Sequence, residues 1–175
     1  MMQPLAYELD PLEHQSDIVN AHLRAGQYSQ ALQLGERLVE KDPHYDRLQT
    51  TIAWAYHYND RRDEALAAIR RATVLSPDSS IWLAQLGQML AMHGHDTEAR
   101  EILTWLERAA REQYVSPYHF AYAHTGLGEQ ELEMDWLERA YRERAGGVYG
   151  IRGSFLFEGL RSHSRFVALL RRMGL

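Results

Sequence analysis

Alanine recurs in this sequence at a fixed interval. Ala31, Ala65 and Ala99 are 34 residues apart, and Pro43 and Pro77, each twelve residues after an alanine, are separated by the same distance. A period of this length is typical of repeat proteins, in which each unit is one small packing element that stacks on the next. The interval therefore constrains the fold more strongly than the composition of the chain does.

Residues around each alanine indicate a pair of helices. A turn-forming residue precedes each alanine by five positions, as Gly26, Asp60 and Gly94. Small residues, Ala53 and Gly87, stand twelve positions before two of the alanines. Two antiparallel helices that cross closely need small residues at the crossing, and proline ends the second helix. Apolar residues follow helical spacing and no long segment alternates with period two, so the sequence predicts an all-α fold.

The pattern resembles the tetratricopeptide repeat family. Family positions are matched by Leu86-Gly87, by Tyr56, and by the alanines and prolines of the 34-residue spacing. The resemblance implies a right-handed superhelix of antiparallel helix pairs, an α-solenoid. It covers about residues 12–147 and divides the chain into an N-terminal lead, 1–11, four helix-turn-helix units, 12–45, 46–79, 80–113 and 114–147, and a C-terminal cap, 148–175.

Three departures from the family pattern are visible. The usual tryptophan position holds Gln15, Gln49, Leu83 and Pro117 in the four units. In unit four, Glu133 stands where the other units have alanine. Unit three lacks its proline, so we expect its second helix to continue past Arg111.

The last part of the chain resembles the C-terminal repeat and cap of bacterial signalling proteins. The resemblance rests on YVSPYHFAYAHTGLGEQELEMDWLERAYRER, from residue 114, and GSFLFEGLRSHSRFVALLRRMGL, from residue 153. In those proteins such repeats follow a winged-helix DNA-binding domain, an adenylate cyclase or a kinase domain, and no residues here resemble those domains. We therefore expect the repeat module alone, with Gly146-Gly147 as a hinge. The residues expected to cover the last repeat are Phe155, Phe157, Phe166 and Leu169.

Charge is unevenly distributed along the chain. The net charge is −5, and residues 139–175 carry +6, which leaves −11 on residues 1–138. A basic tail beside an acidic body argues against nucleic-acid binding by this module and favours docking of the tail on acidic helices of the same chain. No eighteen apolar residues run together, so no membrane partner is predicted. We expect a cytoplasmic protein, or a periplasmic one if the chain belongs to a membrane-anchored regulator.

Catalytic signatures are missing from the sequence. It contains no cysteine and none of the common phosphate-binding, zinc-protease or nucleophile-elbow motifs. His93 and His95 could bind a metal at a turn, but no third ligand is assignable. The carboxylates from Glu129 to Glu138 form a run that we interpret as a solvated helix start with no shifted pKa. We therefore predict no enzymatic activity, no cofactor and no metal site.

The first helix of each unit is expected to line a concave groove. Side chains predicted to point into it combine aromatic rings, two arginines and several amides, which suit the binding of a partner peptide or helix. They are Asn20, Arg24, Arg47, Trp54, His57, Tyr58, Gln88, Met92, Tyr118 and Tyr122. Tryptophan usually finds cover within its own fold, so for Trp54 and the tyrosines a core contact stays open as the second interpretation.

Three functions are compatible with the sequence. The first is a protein-interaction module in a bacterial signalling system. The second is a self-associating, homo-oligomeric scaffold whose groove receives its own tail or a second copy, which sedimentation at several concentrations would reveal. The third is a small-molecule sensor, which a thermal-shift screen would reveal.

Overall fold

The computed structural model describes residues 11–175, and the predicted N-terminal lead, residues 1–11, lies outside them apart from its last residue. The described residues form helices and turns, with no strand among them, which confirms the all-α prediction. In chain order the α-helices are α1 (Pro11–Arg24), α2 (Tyr28–Lys41), α3 (Asp46–Tyr58), α4 (Arg62–Leu75), α5 (Ser80–Met92), α6 (Asp96–Ala109), α7 (Pro117–Gly126), α8 (Gln130–Arg142) and α9 (Ser164–Arg172). Two 3₁₀ segments, Gly146–Gly153 and Phe155–Leu160, lie between α8 and α9.

Each of the helix pairs from α1/α2 to α7/α8 turns at a residue with a left-handed backbone. The φ angle is 71° at Gly26, 58° at Asp60, 83° at Gly94 and 70° at Gly128. The next amide then reaches back to a carbonyl five residues earlier, as from Gln27 to His22 (2.9 Å), and closes the end of the first helix. The 34-residue spacing of the sequence is therefore a spacing of turns.

The second helix of each of the first three pairs has the same length and buries the same residue. α2, α4 and α6 each contain 14 residues, and Ala31, Ala65 and Ala99 are fully buried. Pro43 and Pro77 each lie two residues beyond the end of such a helix, as the sequence predicts. None of the helices in residues 11–175 is long and apolar enough to cross a membrane.

The second helix of the third pair does not continue past Arg111. α6 ends at Ala109, and turns follow it, with a hydrogen bond from Gln113 N to Ala109 O (2.9 Å). The prediction of a longer helix is wrong. Without a nearby proline the chain leaves α6 through these turns, and Pro117 becomes the first residue of α7, where its missing N–H is harmless.

The described residues form two compact units that divide between Asp78 and Ser79. In the first unit α1 packs on α2, α2 on α3, and α3 on α4, while α1 also contacts α3. Gly35 of α2 lies where a β-carbon would be 3.2 Å from Ile52 of α3, so these helices approach too closely for a larger residue.

In the second unit α5 packs on α6 and α7, and α7 packs on α8. Gly87 permits the contact between α5 and α6, because a β-carbon there would be 3.2 Å from Ile102. The C-terminal segment shares the apolar core of this unit with α7 and α8. Its residues in that core include Phe157, Leu160, Phe166 and Leu169.

Arg165 of α9 holds the basic tail against α8. Its guanidinium contacts the carboxylates of Glu131 (2.8 Å), Asp135 (2.6 Å) and Glu138 (3.2 Å), which share one face of α8. His163 adds a contact with Glu131 at 3.2 Å. The tail thus docks on an acidic helix of its own chain, as the charge distribution predicts.

Gly94→Ala should lower the free energy of unfolding by about 1 kcal/mol, because alanine is strained at positive φ. Its β-carbon would meet no neighbour within 4 Å, so the backbone alone causes the loss. Chemical denaturation followed by circular dichroism measures it. Gly146→Ala is the matched control, since its β-carbon is equally unobstructed and its φ is not left-handed. An equal loss in both variants would show that the turn geometry is not responsible.

Candidate functional site

Predicted site residues on α1 and α3 form a polar surface of the first unit. Asn20 donates to Thr51 Oγ1 (3.3 Å) and Arg47 donates to Asp17 (2.8 Å), so side chains join the two helices. Arg24 follows Asn20 by four residues, lies on the same side of α1 and is exposed. We refer to this surface as the α1/α3 face; it consists of Asn20, Arg24, Arg47, His57 and Tyr58.

The C-terminal end of α3 gathers aromatic rings. Tyr58 stacks on Tyr28, with centroids 4.4 Å apart and an interplanar angle of 5°. His57 meets Tyr58 edge-on at 5.1 Å, and Trp54 meets His57 at 5.7 Å. Sequence reasoning missed Tyr28, because it is the first residue of α2 and the groove is predicted from the first helix of each pair alone. The stack fixes the orientation of the Tyr58 ring on the α1/α3 face.

Two other predicted site residues differ sharply in exposure. Trp54 is only 2% exposed, which fits the second interpretation of the sequence, a core contact. Met92, at the end of α5 in the second unit, is 43% exposed. Trp54 therefore contributes to the α1/α3 face by packing against His57, because its own ring is not accessible to a partner.

The remaining predicted site residues, Gln88, Tyr118 and Tyr122, lie on α5 and α7 and are buried; we refer to them as the α5/α7 face. Phe157 of the second 3₁₀ segment stacks on Tyr122 at 5.3 Å and lies 5.5 Å from Tyr118. Gln88 donates its Nε2 hydrogen to the main-chain oxygen of Leu156 (2.9 Å). This face is therefore covered by the C-terminal part of the same chain.

Glu133 of α8 is a buried carboxyl group, only 2% exposed. It stands 34 residues after Ala99, where the earlier helix pairs have a fully buried alanine. Burial raises the pKa of Glu133 to about 7, and a hydrogen bond with Thr125 (2.8 Å) offsets part of that rise. The interpretation of Glu133 as part of a solvated helix start with an ordinary pKa is wrong, because the repeat position places it inside.

Thr125 explains how the buried acid is accommodated. Its Oγ1 lies 2.8 Å from both Glu133 Oε1 and Ala121 O. The hydroxyl has one hydrogen, which serves one of these acceptors at a time. A charged Glu133 accepts the hydroxyl hydrogen of Thr125, whereas a neutral Glu133 can donate its own hydrogen to Thr125 Oγ1 and leave the hydroxyl hydrogen for Ala121 O.

Ser80 and His119 form a hydrogen-bonded pair between α5 and α7, with Ser80 Oγ 3.0 Å from His119 Nδ1. Burial lowers the pKa of His119 to about 4, so the ring is neutral and weakly basic near neutral pH. A general base works best with a pKa near the working pH, so this pair is a poor match to a nucleophile and its base. Within residues 11–175, no group of three or more His, Asp or Glu side chains could hold a metal ion.

A cavity of about 260 Å³ lies in the first unit, on the face of α3 opposite to Trp54 and Tyr58. Gln49, Ile52 and Tyr56 of α3 line it together with side chains of α2 and α4. Its volume is below the range of roughly 300–1,000 Å³ that is typical of small-molecule sites. The cavity and the α1/α3 face are therefore separate features.

Residues 22–86 match the family model described as tetratricopeptide repeat. Residues 22–86 therefore carry the tetratricopeptide-repeat pattern. The match begins in α1 and ends in α5, so it covers α2, α3 and α4 in full. No curated protein matches the chain. Tetratricopeptide repeats are in general protein-interaction modules without catalytic activity, and most of the α1/α3 face lies within the matched residues.

Glu133→Gln should raise the free energy of unfolding at pH 8 and change it little near pH 4. The folded-state pKa of about 7 lies above the ordinary 4.5, so the stability of the wild type is full below pH 4.5 and falls as the pH rises towards 7. The gap corresponds to about 3 kcal/mol, which glutamine, as a neutral donor to Thr125, should recover in part. Denaturant unfolding across pH measures it.

Glu131→Gln is the control for the pH experiment, because Arg165 and His163 hold the pKa of Glu131 below its ordinary value. This variant should lose stability at neutral pH, the opposite sign. A Glu133→Gln variant with no gain at pH 8 would mean that the buried group is charged in the folded protein.

Trp54→Ala should lower the free energy of unfolding by about 3–5 kcal/mol, since it removes a fully covered large ring. Tyr114→Ala, which removes a ring that is 72% exposed, should change it by less than about 0.5 kcal/mol. Thermal and denaturant unfolding of the two variants test this. Similar stability for both would mean that Trp54 is a surface contact.

Proposed function

We propose that the chain is a non-catalytic protein-interaction module that binds a partner peptide or helix, as a regulatory part of a bacterial signalling system. The α1/α3 face carries this proposal, because it joins cationic side chains to ordered rings within the tetratricopeptide repeats. The resemblance of residues 114–175 to the repeats and cap of bacterial signalling proteins supports the second half of the proposal.

The side chains of the α1/α3 face favour an acidic partner segment. Arg24 is exposed, and Arg47 keeps 37% of its side chain exposed while it contacts Asp17. A carboxylate of the partner would gain charge-assisted hydrogen bonds from these guanidinium groups. The partly exposed rings of His57 and Tyr58, already fixed by stacking, offer apolar contact at little cost in conformational entropy.

Self-association is the second candidate function. It is favoured because the C-terminal part of the chain covers the α5/α7 face. A segment of this chain already binds there, so the same contact between two copies would give a dimer. Sedimentation velocity at several concentrations tests it, and a concentration-independent monomer would remove it. A small-molecule sensor has less support, because the cavity of the first unit is small.

Arg24→Glu should abolish capture of the partner from a lysate of the source organism and weaken its measured affinity at least tenfold, which is about 1.4 kcal/mol. Arg62→Glu is the matched control, since Arg62 is also exposed but begins α4. Proteins retained by wild type and the control, and lost by Arg24→Glu, would identify the partner. Identical sets for all three baits would overturn the assignment of the α1/α3 face.

A further inference from the structure

The segment that covers the α5/α7 face is not part of a helix pair. Residues Phe155–Leu160 form two short 3₁₀ turns that break at Phe157, where φ is −119° and ψ is 29°. The Phe157 ring is 1% exposed and lies against both tyrosines of the face. The segment therefore resembles a bound peptide. Its backbone is irregular, and it places one aromatic ring against the aromatic residues of the face.

The polar contact between this face and the segment involves a main-chain atom of the segment. It therefore does not depend on which side chain the segment carries at that point. Gln88 Nε2 donates to the carbonyl oxygen of Leu156, a residue 68 positions away. Any polypeptide offers such a carbonyl. The face therefore specifies an aromatic side chain next to a main-chain acceptor and leaves the rest of the occupant open.

The second polar atom of Gln88 shows that the present occupant is an incomplete match. Gln88 is 1% exposed, and its Oε1 is buried without a hydrogen-bond partner. The contact with Leu156 O fixes which end of the amide is the nitrogen, so the unpaired atom is an acceptor. A buried acceptor without a donor weakens the covered state. An occupant with a main-chain N–H at this point would satisfy both ends of the amide.

Two glycines that precede the segment, Gly146 and Gly147, differ in their surroundings. A β-carbon on Gly147 would lie 2.5 Å from the Tyr118 ring, whereas one on Gly146 would meet nothing within 4 Å. Gly147 is thus required only while the chain lies against Tyr118. A substitution there opposes the covered state without changing any residue of the face.

We propose that residues 154–160 are an internal ligand that blocks the α5/α7 face until a partner segment displaces it. The partner is a non-helical protein segment that places one aromatic ring against Tyr118 and Tyr122 and offers Gln88 both a main-chain carbonyl and a main-chain N–H. The inference rests on the proposed function and adds a second, regulated surface to the interaction module.

A partner protein fits this face better than a second copy of the chain. Residues 154–160 of another copy would leave the same Gln88 Oε1 unpaired. They would also compete with a tethered segment whose effective concentration is on the order of millimolar. Only a segment that pairs both ends of the amide has an advantage over the internal ligand.

A fluorescein-labelled peptide with the sequence of residues 153–162 tests the proposal by fluorescence anisotropy on the full chain. Gly147→Ala should bind the peptide at least tenfold more tightly than wild type, because its own segment is displaced. Gly146→Ala should behave as wild type. Within Gly147→Ala, the further change Gln88→Ala should weaken binding severalfold, and a peptide with alanine at Phe157 should not bind.

Phe157→Ser in the protein opens the face by a second route and replaces Gly147→Ala if that variant does not fold, as judged by circular dichroism. Absence of peptide binding to every folded opened variant would overturn the proposal, as would equal binding to wild type. Concentration-dependent dimers of the wild-type chain in sedimentation would also overturn it, in favour of a second copy.

The proposed function of the α1/α3 face and the internal-ligand proposal can be tested independently of each other. Peptide binding to the opened variants without any Arg24-dependent capture would leave the internal ligand in place and remove the proposed function of the α1/α3 face. Arg24-dependent capture without peptide binding would do the reverse.

Discussion

Close approach of neighbouring helices is the constraint on which the rest of the structure depends. Ala31, Ala65 and Ala99 have no exposed surface, and β-carbons at Gly35 and Gly87 would lie 3.2 Å from isoleucines of the neighbouring helix. Interiors packed at this density do not accept an added methylene without strain. The fully buried alanine therefore recurs five residues after each of the first three left-handed turns.

Glu133 is the point at which one helix pair departs from this rule. The position is still buried, so the carboxyl group must be neutral or find compensation. Thr125, near the end of α7, supplies part of that compensation, because its hydroxyl group lies within hydrogen-bond distance of both Glu133 Oε1 and Ala121 O. At this position an alanine that only fills space is replaced by an ionisable side chain, and the pKa of that side chain is about 7.

The features predicted from sequence are those that local backbone chemistry decides. Glycine or aspartate at the turns and proline after the second helices act within a few residues, so their spacing reveals the helix pairs. The exposure of the site residues could not be predicted in this way. Trp54 and Tyr122 fit a helix face equally well whether that face is open or covered, and the cover on Tyr122 comes from Phe157, a contact between distant parts of the chain. The length of α6 was missed because the end of a helix without proline depends on turns that leave no strong sequence signal.

The Arg165 contact has a consequence for how the chain unfolds. Glu131, Asp135 and Glu138 lie at successive turns of α8, and like charges at this spacing oppose helix formation when nothing neutralises them. A single guanidinium from α9 contacts all three. Loss of the C-terminal helix would therefore leave α8 with a row of mutually repelling carboxylates, and the two helices should form and melt together as one cooperative element. The helical stability of α8 therefore depends on α9, which lies outside the repeat.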